Sequence, residues 1–195
     1  MSMYIQLGKV PASPEERRAL LAGRVADEDS LDSRDLTMLK HDVVDFLKSK
    51  KGYGDAEVLT DKRFHIKLPE TSFDVSADIA LNINGRIFLV IKCVINSVNS
   101  WERYSKAFCR VAEDPYLIPF AAVTDGDNTS VLDIMDGGSV YEGLGSLPSR
   151  ETAVRIIQDF VPTPCPEDRK EREKRILYAF DAIKCSTTAD QSNAT

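Results

Sequence analysis

Ser76-Ala77-Asp78-Ile79-Ala80-Leu81-Asn82-Ile83-Asn84-Gly85-Arg86-Ile87-Phe88-Leu89-Val90-Ile91-Lys92-Cys93-Val94-Ile95 is the stretch whose reading decides the fold. Two runs rich in apolar, β-branched residues flank Asn84-Gly85, a pair suited to a tight turn with positive φ, and together they predict a β-hairpin. Loop length sets which side chains share a face, because strand side chains alternate with a period of two. A two-residue loop would set Ile83 against Arg86 and Asp78 against Ile91, mixing polar and apolar groups on both faces. A three-residue loop, Ile83-Asn84-Gly85 with Gly85 in the left-handed position, sets Asp78 against Val90 and separates the faces, so it is the register expected. One face then carries Ile79, Leu81, Ile87, Leu89, Ile91, Cys93 and Ile95, an apolar surface suited to packing under helices. The other carries Asp78, Ala80, Asn82, Arg86, Phe88, Val90, Lys92 and Val94, so Asp78, Lys92 and Val94 are predicted to cluster.

Upstream, Leu36, Leu39, Val43, Phe46 and Leu47 recur at helical spacing, with Ser33 placed to cap the helix and Gly52 to end it. Residues 1–30, with Pro11, Pro14 and the acidic Asp27-Glu28-Asp29, read as an arm or cap containing one short helix at 15–25. Strands are expected at 56–60 and 63–68 before the hairpin. Downstream, Ser100 opens an amphipathic helix whose Trp101, Tyr104, Phe108 and Val111 face the sheet as core, with Pro115 closing it. Strands at 119–124 and 130–135 flank the turn Asp125-Gly126-Asp127-Asn128. Gly137-Gly138 and Pro148 mark loops, Ser149 caps a helix through Phe160, and 166–184 reads as a charged helix with Ile176, Leu177, Phe180 and Ile183 on its apolar side. The expected organisation is an arm at 1–30, an α/β core at 31–145, C-terminal helices at 146–185 and a disordered tail at 186–195.

Composition narrows the classes of function. A chain of 195 residues, 43% hydrophobic, is long enough to bury one well-packed core. Its sequence contains no run near the roughly 18 apolar residues of a membrane span and no signal-peptide pattern, so it is read as soluble, unprocessed and without a membrane partner. Cys93, Cys109, Cys165 and Cys185 are dispersed without a CxxC pair, which argues against a structural zinc site and suits a reducing, cytoplasmic compartment. A formal net charge of −6 argues against coating nucleic acid by bulk attraction, although a local basic patch can still contact phosphates. Lys62, Arg63 and Lys67 are the candidates for such a patch, weighed against a solvated edge.

The segments Ser76-Ala77-Asp78-Ile79-Ala80-Leu81, Asn84-Gly85-Arg86 and Phe88-Leu89-Val90-Ile91 resemble the N-terminal nuclease domain of type I restriction enzyme R subunits, within the PD-(D/E)XK restriction-endonuclease-like superfamily. Ser100-Trp101-Glu102-Arg103, Pro119-Phe120-Ala121-Ala122-Val123-Thr124-Asp125-Gly126 and the Phe46-Leu47 helix with its Gly52-Tyr53 turn extend the likeness over about 35–140. The resemblance implies a restriction-endonuclease-like mixed β-sheet flanked by helices, here with extra N- and C-terminal helices. It implies phosphodiester hydrolysis by a hairpin aspartate and glutamate that bind Mg2+, assisted by a lysine two residues after the glutamate.

Asp78 matches the aspartate, and is the metal ligand and catalytic residue the resemblance implies. Lys92 stands where the glutamate is expected and Val94 where the lysine is expected, while Tyr104 and Phe108 replace a Gln-x-x-x-Tyr of the next helix. An ammonium at the metal position repels Mg2+ and can itself neutralise Asp78. One reading is therefore a degenerate site in which Lys92 takes the ion's place and the chain serves as a nucleic-acid-binding or scaffold domain. A second is an active Mg2+-dependent DNA endonuclease with Asp78 and Lys92 as catalytic residues and the missing oxygen donor drawn from Asp74, Asp61, Glu57 or Glu102. A third is a homo-oligomeric interaction module docking through its C-terminal helices. DNA, restriction-modification proteins and a second copy are the corresponding partners. No GxxxxGK[ST] motif occurs, so the ATP-driven motor of the R subunits is not recognisable here.

Overall fold

No Pro or Gly interrupts residues 24–51, so no strong helix breaker falls near Ser33. In the computed structural model, which describes residues 14–95 and 97–189, α1 runs from Pro14–Lys51. The short helix expected at 15–25 and the helix expected from Ser33 are thus one element, continuous across the expected boundary at residue 30. Ser33 lies inside it, and its carbonyl accepts a hydrogen bond from Thr37 Oγ1 at 2.9 Å. Gly52, at φ 81°, ends the helix in the conformation that favours glycine. Residues 1–13 of the expected arm and 190–195 of the expected tail lie outside the described residues.

Six strands form one mixed sheet in sequence order: β1 (Val58–Lys67), β2 (Ser72–Ile83), β3 (Arg86–Cys93), β4 (Phe120–Thr124), β5 (Thr129–Asp133) and β6 (Ser139–Glu142). All neighbours are antiparallel except β3 and β4, which are parallel and joined through α2 (Asn99–Val111), as a parallel pair requires a long crossover. The two strands expected at 56–60 and 63–68 are a single β1. Strand β6 follows the glycines read as a loop, and at four residues it is too short to show an alternating pattern. Two C-terminal helices follow, α3 (Arg150–Asp159), capped by the Ser149 side chain on the Thr152 N–H, and α4 (Glu167–Ala189). The latter takes in 186–189 of the segment expected as tail.

The sheet is covered on both faces. Val43 and Leu47 of α1 and Ala153 and Ile157 of α3 close over Ile79, Leu81, Leu89, Ile91, Cys93 and Ala122. On the other face Tyr104, Phe108 and Val111 of α2 and Leu177 of α4 close over Phe64, Val75, Ala80, Val90, Ala121 and Leu132. Burial on both sides is what allows the central strands to be near-continuously apolar. The mixed α/β sheet flanked by helices is as the sequence led one to expect.

The hairpin register differs from expectation. Asn84 and Gly85 form a two-residue turn with φ of 52° and 82°, so Ile83 pairs with Arg86 and Asn82 with Ile87. The register then shifts between Leu81 and Asn82, a β-bulge that leaves Phe88 as the extra residue and restores Leu81 opposite Leu89 and Ile79 opposite Ile91. The bulge, not a longer loop, separates the faces. It turns Phe88 into the α1/α3 side, where its ring sits 5.1 Å from that of Phe120, and moves Ile87 to the opposite cluster. Ile95, expected on the buried face, is 40% exposed. Val90 pairs with Ala80 rather than with Asp78.

Candidate functional site

Continuing the Ile79–Ile91 register by one residue places Asp78 across from Lys92 on the same face, where antiparallel neighbours approach closely. Lys92 Nζ lies 2.6 Å from Asp78 Oδ2, and the Cys93 N–H donates to the same oxygen at 2.9 Å. The other carboxylate oxygen, Oδ1, is 3.0 Å from Nζ of Lys40 on α1. Lys40 in turn donates to Asp61 Oδ1 at 2.8 Å. Asp78 is 5% exposed and both of its oxygens are engaged.

A local irregularity lets ligands from both sides of the sheet reach this carboxylate. The β1–β2 pairing runs Thr60–Ile79 and Lys62–Ala77 but omits Asp61–Asp78, and Asp61 has φ 50°. At that point the apolar residues of β2 change sides. Val75 and Ala77 join the α2/α4 cluster, whereas Ile79 and Leu81 join the α1/α3 cluster. Asp78 sits at the crossover, with Lys92 beside it and α1 close enough to deliver Lys40.

Burial works to raise the Asp78 carboxyl, but the charges of Lys92 and Lys40 and their hydrogen bonds outweigh it and hold the group below its ordinary value. Lys40 is held above its own ordinary value, since its hydrogen bonds to Asp61 and Asp78 overcome the opposing effect of burial. The Cys93 thiol is pushed up to about 12 by burial first and by the Asp78 charge second, which leaves it protonated and unreactive at neutral pH. Lys92 also lies 5.4 Å from the centre of the Trp101 ring, a cation–π distance. Two ammoniums and two carboxylates thus form a line, Lys92–Asp78–Lys40–Asp61, with no net charge.

The other candidate oxygen donors lie elsewhere. Asp74 pairs with His65 across β1 and β2 at 2.7 Å, Glu57 binds the Arg150 guanidinium at 2.8 Å, and Glu102 accepts from Ser130 Oγ at 2.8 Å. Asp61 is linked to Asp78 through Lys40. Val94, at the position where the resemblance implies a lysine, is buried with Val98 and Val123. Tyr104 and Phe108 belong to the core under α2. Among the described residues no group of three His, Cys, Asp or Glu side chains is assembled to hold a metal ion.

The three basic residues of β1 do not form one patch. Lys62 shares a side with buried Phe64 and Ile66 and lies 5.8 Å from the Phe64 ring, whereas Arg63 and Lys67 point to the opposite side with His65. Sequence reasoning missed Lys40. The signal was present: Leu36, Lys40, Val43 and Leu47 fall on one helical stripe, and a charged residue inside an apolar stripe needs a buried partner.

The fold and site define a mixed α/β protein, its sheet flanked by helices, with a buried aspartate neutralised by two lysines. No protein-family model, curated protein or solved structure matches the chain. Among the described residues no helix is long and apolar enough to cross a membrane.

Proposed function

We propose that this chain is a restriction-endonuclease-like domain that does not hydrolyse DNA and serves as a scaffold, its metal site replaced by lysines. The observation that carries this reading is the occupation of both Asp78 oxygens by the ammoniums of Lys92 and Lys40, at 2.6 and 3.0 Å. A divalent cation binds hard oxygen ligands with charge to spare. Here the carboxylate is already neutralised, and an entering ion must displace at least one ammonium and then lie beside the other. The split of Lys62 from Arg63 and Lys67, together with the net charge of −6, favours a protein partner over nucleic acid.

Incubating supercoiled plasmid and single-stranded DNA with the protein and Mg2+ or Mn2+, beside the Asp78→Ala variant, tests the proposal. Equal background from both proteins is the expected result. Cleavage by the wild type that the variant loses would overturn it. One observation favours a second reading. Lys40 Nζ bridges Asp61 and Asp78 at 2.8 and 3.0 Å, a position a cation can take if the lysine swings out. Under that reading Lys40→Ala binds Mn2+ by calorimetry and gains nicking activity; under the scaffold reading it does neither.

A further inference from the structure

We propose that the groove beside the β2–β3 turn is a self-complementary interface through which two copies of this chain pair about a twofold axis. The groove has a volume of about 290 Å3, and apolar side chains line it: Ile87, Leu117, Ile118, Ile157, Phe160 and Pro162. Apolar side chains also stand exposed beside it. Tyr116, which also lines it, is 50% exposed, and Val161, between Phe160 and Pro162 in the chain, is 75% exposed. Apolar surface concentrated around a concavity marks an interaction site, whereas singly scattered apolar residues do not.

Charge selects the occupant. Arg86 and Glu113 line the same groove and both are exposed. Among the described residues neither has an ion-pair or side-chain hydrogen-bond partner, and they do not pair with each other. Other exposed charges of this chain do find partners, such as Asp55 with Lys48 and Arg150 with Glu57. An isologous interface brings residue i against j and, by symmetry, j against i. A patch bearing one unpaired cation and one unpaired anion about an apolar groove therefore supplies both halves of two ion pairs to its own copy.

The apolar groove provides the buried area, and the rim pairs provide register and orientation more than affinity. Each chain carries a net charge of −6, so association works against overall repulsion; a dissociation constant on the order of micromolar is expected. The site lies at the turn end of the hairpin, apart from Asp78 and Lys92, so pairing does not depend on the state of that site.

Sedimentation velocity of the full chain over a concentration series up to about 200 micromolar tests the proposal. The wild type is expected to pass from monomer to dimer. Arg86→Glu alone and Glu113→Arg alone each face like charges across the twofold and are expected to weaken pairing at least about tenfold; the double variant R86E/E113R restores it. Tyr116→Ala weakens it without restoring partners. All three positions changed are exposed, and unchanged far-ultraviolet circular dichroism verifies that the variants fold. A wild type monomeric throughout, dimers that persist in both single reversals, or a double variant that stays monomeric would overturn the proposal.

Discussion

Replacing Lys92 by methionine keeps the length of the side chain and removes the charge that faces Asp78. The carboxylate is 5% exposed and would retain the Lys40 ammonium at 3.0 Å and the Cys93 N–H at 2.9 Å. Breaking a buried pair by removing one partner costs about 3–5 kcal/mol, because the other charge is left in a poor solvent. The remaining ammonium offsets part of that, and Lys92 keeps 14% side-chain exposure, so Lys92→Met is expected to cost about 2–3 kcal/mol. About 0.5–1 kcal/mol of this is the lost contact with the Trp101 ring. Asp78→Asn keeps an acceptor for one lysine only and turns an NH2 donor toward the other ammonium, so it is expected to cost as much, about 2–3 kcal/mol. The decisive quantity is the double variant, in which neither charge is left unpaired. It should fall short of the summed losses by about 1–2 kcal/mol. Equilibrium unfolding in urea, followed by Trp101 fluorescence and circular dichroism together, gives each value. Additivity within about 0.5 kcal/mol would refute the claim that Lys92 and Asp78 form an energetically coupled pair.

The depressed Asp78 carboxyl contributes stability that is fully present above the unfolded value of about 3.9 and is lost as pH falls through the folded value, so the urea midpoint of Asp78→Asn should change less than that of the wild type between pH 5 and strongly acidic solution. Identical acid limbs in the two proteins would contradict this. Gly85→Ala meets no atom within 4 Å and suffers only from its φ of 82°, costing about 1 kcal/mol, whereas Gly126→Ala combines φ 100° with a Cβ 3.1 Å from Leu39 Cδ1 and should cost more, about 2 kcal/mol; the order of their melting temperatures checks the comparison. Glu173 is fully buried between α2 and α4, 2.9 Å from Arg110 Nη1 and 2.6 Å from Arg103 Nη2. Glu173→Gln, by leaving those guanidiniums without their anion, is expected to lower stability by about 2–3 kcal/mol, read as a shift of the urea midpoint without a change in slope.

Much of the architecture was legible because it follows from local periodicity. Val43 and Leu47 at helical spacing, the alternation around Asn84-Gly85 and the aromatic face of α2 each state which side must be buried, and the sheet follows. Register was not legible in the same way. A bulge inserts one residue at a position that no local preference marks, and Phe88 is turned inward by its packing against Phe120 rather than by anything in the turn. Likewise the short β6 depends on its pairing with β5.

At the site, the sequence by itself determined the inventory: one aspartate in 75–83, one lysine in the apolar run 87–95, and no carboxylate where the resemblance implies the second ligand. It left open whether Lys92 lies over the sheet toward solvent or pairs with Asp78, since a flexible four-carbon stem permits both. Tertiary structure decided that, by aligning Lys92 with Asp78 through the bulge, by turning β2 at the crossover, and by bringing Lys40 from a helix 38 residues earlier in sequence order to the remaining oxygen. The physical reason is that a buried carboxylate takes its partners from whatever the packed chain places within about 3 Å, and such proximity is a property of the whole fold rather than of neighbouring residues.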